Sequence, residues 1–325
     1  MARSLRLRAG TRGSRLALWQ TDFVIRQLQQ LRPDVQVEPV TFRTLGDRII
    51  EVPLARLGGK GLFTRELEAA LRSGEIDFAV HSLKDLPTDE PDGLAIGAIL
   101  RREDPGDALV APRGATLDRL PRGARVGTSS PRRRAQLLAR RPDLDVRDLR
   151  GNVPTRVDRV LNGDLHAAVL ALAGLTRLGM TAHIAEILPP DVMLPAPGQG
   201  ALAVQIRADD RRMASLLAPL DDRPTRLAVS AERTVLAHLQ GGCQVPVGAL
   251  GVIEKDVLTL HAAVVSLDGT ESIRESMQAA APGPEDAVRL GARLARLLLD
   301  RGADRILARV RAMQPAGGEG EVPES

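Results

Sequence analysis

The 325-residue sequence is short of several residues that would direct it to familiar chemistry. It has one cysteine, Cys243, so no internal disulfide can form, and a reducing cytoplasm is the expected compartment. With that single thiol and five histidines in no ligand-like spacing, no metal site is expected. Tyrosine is absent and aromatics are 2% of the chain, which leaves few platforms for stacking nucleic-acid bases. No apolar run approaches the ~18 residues of a membrane span. The opening MARSLRLRAG lacks the apolar segment of a secretory signal. Lys60 lies in Gly58-Gly59-Lys60-Gly61, without the spacing or following hydroxyl of a P-loop, and no GxSxG elbow occurs.

Lysine is scarce as well. Only Lys60, Lys84 and Lys255 occur, leaving 42 of the 45 basic residues as arginine. With 41 acidic residues the net charge is +4, yet the isoelectric point is about 10.1. Arginine's planar fork suits carboxylate and phosphate, so an anionic ligand fits this composition. A general bias towards arginine explains most of the surface positions. Against that background a retained lysine carries information, because a compact ammonium differs from a guanidinium.

What remains reads as an ordinary globular chain, 43% hydrophobic and 26% charged. Its first 210 residues alternate strand and helix patterns. Ser4–Ala9 predicts a strand leading into a turn at Gly10–Gly13. Ser14 is placed as the N-cap of a helix with Leu16, Trp19, Phe23, Val24, Leu28 and Leu31 on one face. Val35–Phe42 predicts a strand, Thr64–Arg72 a helix stopped by Gly74, and Ile76–His81 a buried strand. The polar, glycine-bearing stretch Arg43–Gly61 between them is a candidate mobile flap.

The same order recurs further along. Arg125–Thr128 is a strand, and Ser130 caps a helix with Pro131 at its first position. Val146–Leu149 is a strand, Thr155–Leu161 a helix and Ala167–Leu170 a strand. This grammar implies parallel βα sheets flanked by helices, with ligand residues at strand C-termini and helix N-termini. From about Asp221 the pattern changes to a helix over Thr225–Leu239, short strands near Val247–Ile253 and Leu258–Ser266, and a helix from about Glu285 to Leu299. The expected division is a first α/β lobe (1–100 with 200–220), a second (101–199), an α+β domain carrying Cys243 (221–313) and a disordered tail (314–325).

Ionic residues gather at the predicted element ends. His81-Ser82-Leu83-Lys84-Asp85 follows a buried strand. That Lys-Asp pair also fits an ordinary surface ion pair, worth little energetically. Thr128-Ser129-Ser130-Pro131-Arg132-Arg133 joins hydroxyls, free helix N–H groups and guanidiniums, which is an anion site by construction, unless it is merely a solvated basic helix start. Arg150-Gly151-Asn152-Val153-Pro154-Thr155-Arg156 repeats the arrangement, and Arg12 with Ser14 does so after the first strand. Four such sites on two lobes point to one polyanionic ligand in the cleft between them. Cys243 follows two glycines, which suggests clearance around the thiol. A lone cysteine is more often a buried structural residue, and this one has no histidine nearby in sequence to act as its base.

The strings GTRGSRLALWQT, GGKGLFTRELEAAL, DFAVHSLKDLPT, VGTSSPRRRAQLL, LRGNVPTR, LPAPGQGALAV and GGCQVPVGA resemble, in order from about residue 7 to 312, the signature segments of the porphobilinogen deaminase family. Pro131 and Pro154 occupy positions that vary in the family and remove no side chain the chemistry uses. The resemblance implies two periplasmic-binding-protein-like lobes and a small third domain. It implies a dipyrromethane cofactor, made from substrate, joined to Cys243 by a thioether and presenting four carboxylates. It implies that Lys84, Thr128, Ser129, Ser130, Arg132 and Arg133 hold the cofactor's acidic side chains. Arg12, Ser14, Arg150, Arg156 and Arg177 would hold incoming porphobilinogen and the growing chain. Asp85 would face the pyrrole nitrogens, where ammonia leaves an azafulvenium cation for the terminal ring to attack. A monomer in the cytoplasm is expected, with no nucleic-acid or membrane partner. A two-lobed binding protein for a small dicarboxylate is the alternative, but it calls for a signal or anchor and has no use for Cys243. An arginine-rich nucleic-acid binder would need clustered basic charge and stacking aromatics.

Overall fold

The computed structural model describes residues 5–48, 61–239, 245–280 and 282–313. In chain order the strands are β1 (Leu5–Arg12), β2 (Val35–Phe42), β3 (Phe78–Ser82), β4 (Leu94–Ile99), β5 (Asp107–Val110), β6 (Arg125–Gly127), β7 (Asp145–Arg147), β8 (Ala167–Ala171), β9 (Ile184–Leu188), β10 (Leu202–Arg207), β11 (Val247–Glu254), β12 (Val257–Val265) and β13 (Ser272–Ala280). The helices are α1 (Arg15–Leu31), α2 (Leu45–Arg48), α3 (Arg65–Ser73), α4 (Pro131–Arg140), α5 (Val153–Leu161), α6 (Leu172–Arg177), α7 (Arg211–Leu217), α8 (Arg223–His238), α9 (Pro284–Asp300) and α10 (Ala303–Met313).

Three sheets result. The first runs β2-β1-β3-β10-β4 and the second β7-β6-β8-β5-β9, while a third of three antiparallel strands runs β11-β12-β13. Each of the first two has a core on both faces. Leu7, Val24, Leu28, Phe78 and Val204 fill one side of the first sheet, and Leu67, Leu71 and Ile76 the other. In the second sheet Leu109, Val126 and Leu137 oppose Val157, Leu170 and Leu175. The third sheet packs on α8, α9 and α10 through Val235, Leu260, Leu294 and Ile306. The outcome is two α/β lobes and a small α+β unit.

The lobes are not wholly parallel, as the βα grammar led us to expect. β1 pairs parallel with β2 and β3, and β6 with β7 and β8. β10, however, runs antiparallel to β3 and β4, and β5 antiparallel to β8 and β9. The reason lies in the connections. β5 and β10 are the strands by which the chain enters one lobe from the other. Both begin at the side where the parallel strands end, so they must run against them.

Local signals explain most of the helices. Ser14 caps α1 by accepting from Ala17 N, Ser130 caps α4 ahead of Pro131, and Asn152 caps α5. Gly74 ends α3 in the left-handed region at φ 73°. The apolar stripe assigned to α1 divides in two. Val24 and Leu28 enter the core, whereas Trp19 and Phe23 stay half-buried and stack at 5.3 Å. Gly10 is strand rather than turn, and a Cβ there would lie 2.3 Å from Ile76 Cδ1, so glycine lets the packing layer close on β1. Of the expected flap, only its two ends are among the described residues. There α2 forms a single turn, with Leu45 N donating to Glu66 Oε1 at 2.8 Å. β13 follows no apolar run, and its residues alternate exposed and half-buried.

The two inter-lobe segments lie side by side. Glu103 N donates to Gly200 O at 3.3 Å, and Arg102 Nε to Gln199 O at 2.7 Å. Gly200 has φ +88°, and a Cβ there would sit 2.4 Å from Glu103 O, a backbone atom with no room to yield. Gly200→Ala should therefore destabilise the protein by about 1–3 kcal/mol or more, read as a lower urea midpoint. An unchanged midpoint would contradict this account of the crossing.

Candidate active site

The C-terminal ends of the parallel strands in the two lobes face each other. Lys84 and Asp85 form a 3₁₀ turn, Leu83–Asp85, directly after β3. Across from them α4 begins, with Arg132 and Arg133 in its first turn. Both arginines are buried, 4% and 6% exposed, and their charges are met by Asp107 at the start of β5, which is fully buried. Arg132 Nη1 donates to Asp107 Oδ2 at 2.7 Å and to Leu194 O at 2.6 Å. Arg133 donates to Asp107 Oδ1 through Nε (3.1 Å) and Nη2 (2.7 Å), and to Val169 O through Nη1 (3.1 Å). These two guanidiniums hold the Asp107 carboxyl well below the usual range, although burial opposes them.

Gln199 completes the cluster from the second inter-lobe segment. Its Nε2 donates to Asp107 Oδ1 (2.9 Å) and to Pro105 O (2.7 Å), and its Oε1 accepts from Lys84 Nζ (3.3 Å) and Arg133 Nη2 (3.5 Å). One amide thus touches a cation from each lobe and the carboxylate between them. Positive charge is in excess here. Burial first, then the nearby Arg133, push the Lys84 ammonium down to about 8, against the pull of Asp85 and Asp107. Arg156 is lowered to about 10 by burial and by Arg133 and Arg150, with Asp85 opposing. Arg150 is also lowered, chiefly by burial. Arg132 Nε is buried with no hydrogen-bond partner among the described residues.

Lys84, Asp85, Arg132, Arg133, Arg150 and Arg156 are therefore one electrostatic group. The remaining expected residues sit around it. Arg177 donates to Gly200 O at 2.6 Å and lies 5.9 Å from the Trp19 ring centre, across the lobe boundary. Burial lowers its pKa to about 10. Arg12 lies 4.3 Å over the Phe63 ring, at the junction of β1 and α1 where Ser14 acts as cap. The three hydroxyls of lobe two have partners within the chain. Thr128 Oγ1 accepts from Ser130 N, Ser129 Oγ bridges the backbone of Leu149 in both directions, and Ser130 Oγ caps α4. Cys243 lies outside the described residues.

Sequence reasoning assigned no role to Asp107, Gln199 or Glu232. Glu232 is fully buried on α8 and takes four donors: Arg102 Nη1 (2.6 Å), Arg102 Nη2 (3.0 Å), Gly198 N (2.7 Å) and Gly251 N (2.8 Å). It ties the third unit to both inter-lobe segments. The periodicity of α8 held a signal, since Glu232 falls on the buried face with Ala228 and Val235. Asp107 gave none, because an aspartate opening a short apolar run reads the same at a surface.

Fold and site together define a two-lobed α/β protein whose facing strand ends hold a surplus of cations, fit for a polycarboxylate. Family models place it further. Residues 7–215 match "Porphobilinogen deaminase, dipyromethane cofactor binding domain", and residues 226–300 match "Porphobilinogen deaminase, C-terminal domain". Among curated relatives, the porphobilinogen deaminase of Moorella thermoacetica is 52% identical over 95% of this chain and 97% of its own length. That of Desulforudis audaxviator is 54% identical, covering 93% and 97%, and that of Geobacter sulfurreducens 47%, covering 98% of each. Solved structures show looser likeness. The methionine binding protein MetQ superposes with a TM-score of 0.43 at 14% identity over 66% of this chain and 89% of its own. The chain belongs to the porphobilinogen deaminase family, and it is an enzyme of the transferase class with a dipyrromethane-binding domain. The donor set fits that group: a cofactor with four carboxylates meets a cluster whose own carboxylates leave lysine and arginine under-neutralised.

Asp107→Asn should leave Arg132 and Arg133 buried with no carboxylate between them. We expect a loss of about 3–5 kcal/mol of folding stability, measured by denaturant titration. A loss below about 1 kcal/mol would show that the arginines do not depend on this ion pair.

Proposed function

We propose that this chain condenses four porphobilinogen molecules head to tail, with loss of ammonia, and releases hydroxymethylbilane by hydrolysis. The observation that carries this reading is that Lys84, Arg132, Arg133, Arg150 and Arg156 form one electrostatic group with Asp85 and Asp107 between two lobes. Porphobilinogen bears an acetate and a propionate. A site that must grip successive carboxylates yet leave the ring reactive needs many cations and an anion left to face the ring nitrogen.

Dipyrromethane, held through a thioether to Cys243, would supply the terminal pyrrole to which the first unit is added. Lys84, Arg132 and Arg133 would hold its acidic side chains, with Thr128, Ser129 and Ser130 shaping the strand end and helix start behind them. Arg12, Ser14, Arg150, Arg156 and Arg177 would receive the side chains of substrate and of the lengthening product. Fixing both partners by charge-assisted contacts turns coupling into a local event.

Asp85 acts at the nitrogen. As the bond to ammonia breaks in the incoming porphobilinogen, positive charge spreads onto its pyrrole ring. A carboxylate accepting the ring N–H stabilises that charge, the reverse in sign of an oxyanion hole. The same carboxylate stands ready to accept the proton released after coupling. One copy of the chain, working in the cytoplasm, suffices for this chemistry. Among the described residues no helix is long and apolar enough to cross a membrane.

The test uses intact mass and turnover together. Purified protein should carry the mass of two pyrrole units, absent in Cys243→Ala. On protein loaded by that criterion, Asp85→Asn should lose several orders of magnitude in kcat. Asp85→Glu, which keeps the charge and moves it by a methylene, should retain measurable turnover. Faster turnover by the loaded Asn variant than by the loaded Glu variant would rule out charge stabilisation by Asp85.

A further inference from the structure

Asp85 ends its 3₁₀ turn, and Leu86 N closes that turn by donating to Leu83 O at 3.1 Å. Beyond it the backbone turns extended, with Leu86 at φ −79° and ψ 134°, and Pro87 has no N–H to give. Residues 86–88 belong to no strand. Their carbonyl oxygens converge instead on one guanidinium from another part of the fold. Arg233 Nη1 donates to Leu86 O at 3.2 Å, and Nη2 donates to Pro87 O at 2.6 Å and to Thr88 O at 3.5 Å.

Arg233 lies on α8, in the third unit. Its neighbour Glu232 pins the same helical turn to Gly198, Gly251 and Arg102. One turn earlier, Val229 packs against Leu83 and Leu86, on either side of the Lys84-Asp85 pair. α8 therefore cannot shift along its axis without moving the loop that carries Asp85. The helix runs on to His238, about 8 Å further along its axis, and Cys243 follows five residues later.

We propose that Arg233 is a positioning residue for the reaction: from the third unit it fixes the loop that carries Asp85, and with it the place of that carboxylate. This rests on the reading of Asp85 as the charge-stabilising group. The chemistry of the clamp suits arginine alone. Three carbonyls meet one planar fork of several N–H donors, whereas a lysine ammonium is a single point on a flexible stem. Arg233 itself acts only through the loop it holds.

The experiment compares Arg233→Met and Arg233→Lys with wild type, each shown by intact mass to carry dipyrromethane. Arg233→Met should load normally and keep KM within about twofold, while kcat per loaded molecule falls roughly ten- to a hundredfold, the scale of an ångström-sized misplacement. Arg233→Lys, keeping a donor near Pro87 O, should recover part of that loss; if the Met variant does not fold, the Lys variant decides by the same kcat criterion. In a double-mutant cycle with Asp85→Glu the losses should be strongly non-additive, because a carboxylate already displaced has little more to lose. Unchanged kcat in either loaded variant, or losses at 233 and 85 that multiply independently, would overturn the proposal. So would a lower melting temperature with normal turnover per loaded molecule, the mark of a purely structural arginine. If loaded Asp85→Asn is inactive while loaded Arg233→Met is normal, only this inference falls; if loaded Asp85→Asn is fully active, the reading beneath it falls as well.

Discussion

Asp107 is the point on which the site depends. Two consecutive arginines at a helix start are poor candidates for burial, since each carries a full charge into a place already made positive by unpaired N–H groups. A single carboxylate, fully buried at the head of β5, makes it possible by accepting from both guanidiniums at once. It balances them only in part. Lys84, Arg150 and Arg156 are added to the same group, with Asp85 and Asp148 as further acids acting on its members. The remainder is a standing positive charge aimed at the space between the lobes. A protein that had only to fold would have little reason to build it. One that must bind four carboxylates, and then more as a chain grows, needs it in place beforehand.

The joint between the lobes is constructed around the same carboxylate. Gln199 donates to Asp107 and to the first inter-lobe segment while accepting from Lys84 of one lobe and Arg133 of the other. Glu232 gathers Arg102, Gly198 and Gly251, so the third unit grips both segments where they cross. The cations, the joint and the third unit therefore share one hydrogen-bonded network. A change in lobe angle would be felt at Lys84 without passing through a flexible loop.

Much of the frame was legible because local chemistry dictates it. Ser14 and Ser130 are capping residues wherever they precede a helix, and Gly74 takes the left-handed conformation that ends one. The charged residues at strand ends were equally visible, and the structure groups six of them. What could not be read arises between segments distant in sequence. The antiparallel course of β5 and β10 follows from the chain passing twice between lobes, which no window of ten residues records. Asp107 meets arginines 25 and 26 residues away, and Gln199 meets Lys84 across 115. Their side chains are ordinary, and only their partners make them important. β13 escaped for another reason: it alternates polar residues between exposed and half-buried positions and offers no apolar signature.

The cluster carries an excess of positive charge until an anionic cofactor neutralises it. The scarcity of lysine makes this directly measurable, because only Lys60, Lys84 and Lys255 contribute signals in lysine-labelled protein. The Lys84 side chain should be titrated by NMR in protein free of dipyrromethane, and again after loading with porphobilinogen. Lys84 should titrate near 8 in the free protein and move up towards the ordinary lysine range once the carboxylates are bound. An ordinary lysine titration in the free protein, or one that loading leaves unmoved, would contradict that excess of charge.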